Sequence, residues 1–215
     1  MKARFFAIIS HDLRSPIASL INFLNLQQEA PDLLSPEQAT QHQQKITESA
    51  ETLLETMETL LLWSKEQMAI FKPNIQTTRI ASLFDYIQKS FGDTLSVQVT
   101  FSNPENLTLL TDENYLQTIM YNLTSNAIKA LKLTSNASLE WKAFQENNHT
   151  ILSITDNGPG IQEAAIQILT QESPVFNTRQ GLGLHLVRDL AKAIQCPLIV
   201  QTKPMVGTTI YLYRT

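Results

Sequence analysis

Between Lys2 and about Gln28 the apolar residues Phe6, Ile9, Leu13, Leu20 and Phe23 recur at the alternating three-and-four spacing of a helix seam. "EAPDLLSPEQ" then interrupts the pattern with two prolines and predicts a turn. Ser35 is placed to cap a second helix, with Pro36 at its first helical position. The seam resumes at Ile46, Ala50, Leu53, Met57 and Leu60 and ends near "FKPN". Two long helices joined by a short turn form a hairpin. Alone it cannot cover its apolar stripes, so two copies are expected to pair as a four-helix bundle.

Beyond Pro73 the periodicity changes. Ile80 to Phe91 reads as a short helix, "SVQVTF" alternates as a strand, "LTLL" is a second strand, and a helix is predicted from about Asp112 to Leu133. "ASLEWKAFQ" and "HTILSITD" flank Glu146-Asn147-Asn148 and predict a β-hairpin. Helices follow near Ile161–Leu169 and Gly183–Ile194, and "PLIVQTK" and "GTTIYLYR" close the chain as a further strand pair. A helical segment followed by mixed strands and helices argues for two domains, the second an α/β sandwich.

Composition narrows this further. At 215 residues and 43% hydrophobic content, one large or two small domains can bury a true core. The net charge of −4 comes from interspersed acids and bases, so no basic stripe points to nucleic acid. A single cysteine, Cys196, fits a reducing compartment. No apolar run reaches bilayer-spanning length, so no membrane contact is expected of this chain.

One cluster does not serve packing. If Phe6, Leu13 and Leu20 hold the first seam position of a heptad and Ile9, Pro16 and Phe23 the fourth, His11 lies farthest from the seam. Pro16 offers no N–H to the carbonyl of Asp12, so the helix is loosened one turn from His11, although a simple bend would explain the proline as well. Unprotonated imidazole is a competent nucleophile. Asp12 could orient the ring or take its proton, provided the two side chains converge through their rotamers. His42, His149 and His185 have no comparable setting.

Three further stretches carry candidate chemistry. "NLTSNAIKAL" puts Asn122, Asn126 and Lys129 on one helix face, rotated from the stripe of Leu116, Ile119, Leu123 and Ala127. That face is either simply solvated or a metal–phosphate site, with an Asn carbonyl on magnesium and Lys129 as a point charge. "ITDNGPGI" ends a strand at Asp156, and Gly158 and Gly160 then permit a tight turn against a flat ligand. A carboxylate there can accept from an exocyclic amine such as that of adenine. "QGLGLHLVRDLA" brings Gly181 and Gly183 to a helix entry, where N–H groups and the helix dipole can hold phosphate oxygens. No G-x-x-x-x-G-K-[ST] phosphate loop is present.

Taken in order, these motifs resemble the catalytic core of a bacterial sensor histidine kinase of two-component signalling, over nearly the whole chain. "SHDLRSP" looks like the phosphoacceptor box, "NLTSNAIK" the N box, "DNGPGI" and "GLGL" the two glycine boxes, and Phe176 the F-box aromatic. The resemblance implies a dimerisation and histidine-phosphotransfer hairpin over about residues 1–71 and a Bergerat-type ATP-binding domain over 72–215. It implies that His11 accepts the γ-phosphoryl of ATP with help from Asp12. Asn126 and Asn122 would hold Mg2+, Lys129 would face the phosphates, and Asp156 would recognise adenine. The phosphoryl group would then pass to an aspartate of a response-regulator receiver domain. The location expected is cytoplasmic, including the cytoplasmic part of a membrane-anchored sensor.

The chain departs from the family pattern at three places. Arg179 stands where the second glycine box usually opens with glycine, and could itself reach a phosphate. The stretch between Gly160 and Gly181, the expected ATP lid, is short. Ser15 occupies the position four after the histidine, where Thr or Asn accompanies phosphatase activity. Two competing readings stay open: another ATPase of the same nucleotide fold, and a catalytically weak kinase-like dimeric scaffold.

Overall fold

A computed structural model describes residues 17–25, 39–47, 49–50, 53, 57, 73–92, 97–170 and 182–213. The chain splits into two compact units, residues 1–71 with 178–183 and residues 72–177 with 184–215.

In the first unit, residues 17–25 and 39–47 are helical. Phe23 meets His42 edge-on with ring centroids 5.4 Å apart, and Lys45 Nζ lies 5.9 Å from the Phe23 centroid. Seam residues Leu20, Phe23 and Ile46 are thereby half-buried, whereas Ala50 and Met57 are exposed. Ile17, Ile21 and Leu24 form an exposed apolar stripe beside the seam. Pro16, the turn expected at "EAPDLLSPEQ" and the cap expected at Ser35 lie outside the described residues.

The second unit runs β1 (Gln76–Arg79), α1 (Ile80–Phe91), β2 (Gln98–Ser102), β3 (Thr108–Thr111), α2 (Glu113–Leu131), β4 (Ser138–Glu146), β5 (His149–Asp156), α3 (Glu163–Thr170), α4 (Leu182–Ala193), β6 (Leu198–Lys203) and β7 (Gly207–Tyr213). A five-stranded sheet has the order β2-β4-β5-β7-β6, parallel only between β2 and β4. β1 and β3 form a separate antiparallel pair.

The apolar periodicities converge on one core. Ile80, Leu83 and Ile87 of α1 and Leu116, Ile119 and Met120 of α2 are fully buried, as are Trp141 of β4 and Leu152 of β5. Helices packed on a mixed sheet give the expected two-layer unit.

Local chemistry sets several boundaries. Asp112 caps α2 by accepting from the Tyr115 N–H (3.1 Å), and its other oxygen accepts from the Asn74 N–H at 2.7 Å. Asn147 and Asn148 both take positive φ, 49° and 68°, which suits a two-residue turn whose twist matches β4 and β5. Two expected helix bounds shift, and one strand was not expected. α2 ends at Leu131 rather than Leu133, which is 99% exposed and holds no helix to the core. α3 begins at Glu163 rather than Ile161, because the Ile161 N–H turns aside to the Thr202 hydroxyl at 3.1 Å. β1 had no periodic signature, since "QTTR" buries only Thr78.

A buried hydrogen bond joins α2 to the sheet: Trp141 Nε1 donates to Thr124 Oγ1 at 2.9 Å, with neither residue measurably exposed. Thr124→Val keeps the volume but strands the indole N–H. We expect a loss of about 1–3 kcal/mol in chemical denaturation, largely restored by Thr124→Ser. A valine variant as stable as the parent would mean the bond carries nothing.

Candidate nucleotide site

The site begins where β5 ends. Asp156 pairs with Leu139 on β4 and with Thr208 on β7, so its backbone is held from both sides. The next residue fastens the turn. Asn157 Oδ1 accepts the Ser138 N–H and its Nδ2 donates to the Asn136 carbonyl, both at 2.9 Å. The chain then doubles back, and the Gly158 N–H donates to Asp156 Oδ1 at 2.9 Å. A Cβ at Gly158 would fall 2.9 Å from that same oxygen and 3.3 Å from Leu131 Cδ2. A side chain at Gly158 would thus crowd the Asp156 carboxylate itself.

Asp156 is one of three polar groups lining a cleft of about 80 Å³; the others are Asn126 of α2 and Thr208 of β7. The walls are apolar, from Leu123 and Ala127 of α2, Ile154 of β5, Ile161 just before α3, Leu169 of α3, and Leu184 of α4. Burial pushes the Asp156 carboxyl above its ordinary value, against the N–H groups of Gly158 and Thr208, which pull it down. A narrow apolar slot with a carboxylate and a hydroxyl at one end and an amide at its rim suits a flat ring carrying an amine.

Of the residues singled out from sequence, Asn126, Asp156 and Gly160 meet at this cleft. Asn126 is exposed, so its side chain is within reach of solvent and of solutes. Asn122 lies one turn earlier and is buried; its Nδ2 donates to the Thr118 carbonyl at 2.8 Å, which leaves the carbonyl oxygen as its available ligand atom. Lys129 is exposed in the last turn of α2 and does not line the cleft. Gly183 lies in the first turn of α4, next to Leu184. His11, Asp12, Ser15, Phe176, Arg179 and Gly181 lie outside the described residues.

Four residues escaped sequence reasoning: Asn157, Thr202, Gly207 and Thr208. "GTT" was legible only as the start of a strand. Its signal was a glycine at a hairpin's end followed by a hydroxyl, which has meaning only once β7 is known to lie beside Asp156.

Comparison with known proteins agrees with this geometry. Residues 111–214 match the family model of the histidine kinase-, DNA gyrase B- and HSP90-like ATPases, and residues 1–68 match that of the His Kinase A phosphoacceptor domain. The chain is 28% identical to the sensor protein EvgS of Escherichia coli (strain K12), over 97% of its own length and 18% of that protein. It is 23% identical to the sensor histidine kinase YvrG of Bacillus subtilis (strain 168), over 97% of its length and 37% of that protein. The chain thus spans well under half of these relatives. Among solved structures it resembles the Acinetobacter baumannii histidine kinase AdeS, with a TM-score of 0.65 and 19% identity, covering 95% of this chain and 97% of that one. It also resembles the histidine kinase ThkA in complex with the response regulator protein TrrA, with a TM-score of 0.68 and 19% identity over 98% of this chain and 60% of that one.

Proposed function

The chain belongs to the sensor histidine kinase family, and on that premise we propose that it moves the γ-phosphoryl group of ATP to His11 and on to an aspartate of a response regulator. Residues 1–71 serve as the dimerising phosphotransfer hairpin and 72–215 as the ATP-binding domain. A ring nitrogen of His11 attacks the γ-phosphorus, the bond to the β-phosphate oxygen breaks, ADP leaves, and Asp12 takes the imidazole proton. Adenine enters the apolar cleft with its amine toward Asp156 and Thr208. Asn126, supported by Asn122, is fitted to hold Mg2+, a cation that keeps several waters and neutralises phosphate charge. Lys129, Gly181, Gly183 and Arg179 are assigned to the phosphates.

The observation that carries this reading is the convergence of Asp156, Thr208 and Asn126 on one apolar cleft. The exposed stripe of Ile17, Ile21 and Leu24 supports pairing of two hairpins. ThkA, whose solved structure includes a response regulator, supports that class of partner. Among the described residues no helix is long and apolar enough to cross a membrane; a supply of ATP favours a cytoplasmic setting.

The test is incubation with magnesium and ATP labelled at the γ-phosphate. An acid-labile, alkali-stable label on protein is expected, with none from ATP labelled at the α-phosphate. Tight ATP binding without label would instead favour the dimeric scaffold, the reading that Arg179 and the short Gly160–Gly181 stretch leave in play.

Asp156→Asn gives a second expected result with opposite signs for binding and stability. Adenine nucleotide affinity should fall roughly 10- to 100-fold, the worth of a hydrogen bond to a charged acceptor. Stability runs the other way. The raised carboxyl value means that the folded state holds its proton more tightly than the unfolded chain. The parent therefore loses stability as pH rises from the ordinary carboxylate value through the raised one, and asparagine does not. Thermal melts from acid to neutral pH should show the variant gaining on the parent across that window. A parent that gains on the variant there would refute the assignment of burial as the dominant influence.

A further inference from the structure

Thr202, on the edge strand β6, reaches three groups at once. Its Oγ1 accepts the Ile161 N–H at 3.1 Å and lies 3.3 Å from the Gly207 carbonyl and 3.2 Å from Thr208 Oγ1. It also abuts the glycine turn, since a Cβ at Gly160 would fall 3.0 Å from it. A hydroxyl has one hydrogen and two acceptor sites. The Ile161 N–H can only donate, so it takes one acceptor site. The Gly207 carbonyl can only accept, so it takes the hydrogen. What remains to Thr202 is a second acceptor site, and the group facing it is the Thr208 hydroxyl. Thr208 is 4% exposed and lines the cleft beside Asp156.

We infer that Thr202 is a positioning residue that fixes the polarity of the cleft: it draws the Thr208 hydrogen away from the ligand and so selects a 6-amino over a 6-oxo purine. With its hydrogen committed to Thr202, Thr208 offers only lone pairs to the cleft. Asp156 as a carboxylate offers only lone pairs as well. A ring amine satisfies two such acceptors, directly or through a water, whereas a ring carbonyl at the same place meets lone pair with lone pair. The inference rests on the reading of this cleft as the adenine site and adds what sets its discrimination.

The test uses the whole chain and calorimetric titration with ATP and with ITP, which carries a carbonyl in place of the amine. The parent should favour ATP by roughly 10- to 100-fold, the cost of one or two buried polar groups left unpaired. In Thr202→Val the Thr208 hydroxyl is released to turn toward a carbonyl, and the ATP-to-ITP ratio should narrow by about tenfold. Thr202→Ser keeps the hydroxyl and should keep the ratio. Thr202→Ala serves where the valine variant does not melt cooperatively. In Thr208→Val, a further loss of Thr202 should leave the ratio where it is, because the two act through one hydroxyl. Equal weakening of both nucleotides, with the ratio intact, would reduce Thr202 to a structural role and overturn the inference, as would a serine variant with the valine ratio. A parent that binds both nucleotides equally overturns it too. A parent that binds neither fails the adenine reading itself, which is a separate and recognisable outcome.

Discussion

Gly207→Ala is expected to abolish nucleotide binding and to destabilise the second unit severely. Gly207 has φ +138°, a conformation that L side chains rarely adopt, at the start of the strand that lies against Asp156. An added Cβ would sit 1.9 Å from the Asp156 carbonyl oxygen and 2.9 Å from its carbon. Both obstacles are backbone, so no rotamer change relieves them. Backbone strain costs about 1–3 kcal/mol and overpacking about the same again. A domain of this size holds only about 5–15 kcal/mol in reserve. The relief available is for β7 to move off β5, which carries Thr208 away from Asp156. Chemical denaturation and titration with an ATP analogue would measure both losses. A variant with parental midpoint and affinity would show that the close approach is not needed.

The sensitivity of Gly207 also explains which parts of the site were legible in sequence. Asp156, Gly158 and Gly160 fall in one short stretch, and their types announce a strand end, a turn and a close approach. Asn126 is legible because one helix face repeats every three or four residues. Gly207, Thr208 and Thr202 act on Asp156 only through strand pairing about 50 residues away in sequence, and no local spacing encodes that register. Asn157 is similar. It reads as an ordinary turn asparagine, yet it fastens the turn to the start of β4.

Secondary structure divides along the same line. The β4–β5 hairpin was legible because two asparagines suit the positive φ its turn needs, and α1 because its apolar residues keep helical spacing. β1 was not, because a four-residue polar strand with one buried threonine has no alternation to read. The start of α3 was misplaced because a tertiary bond, from the Ile161 N–H to Thr202, overrides the local helix signal.

His11→Gln is expected to remove all phosphoryl incorporation while leaving ATP affinity at the parental value. The first half follows from chemistry: glutamine keeps a polar side chain of similar reach but has no nucleophilic nitrogen, so the phosphorus has nothing to bond. The second half follows from the fold, since every residue lining the cleft belongs to the second unit and none to the hairpin. The remaining histidines are poor substitutes. His42 is half-buried with its ring edge-on to Phe23, and His185 is 5% exposed within α4. His149 is exposed, but it opens β5 opposite Glu146, at the far end of the strand from Asp156 at the cleft. Asn126→Ala provides the contrast, because loss of the proposed metal ligand should depress both label and magnesium-dependent ATP affinity. Measured side by side, the two variants separate nucleophile from nucleotide site. Label that persists in His11→Gln, or that maps to His42 or His149, would refute the assignment even if the cleft binds ATP as expected.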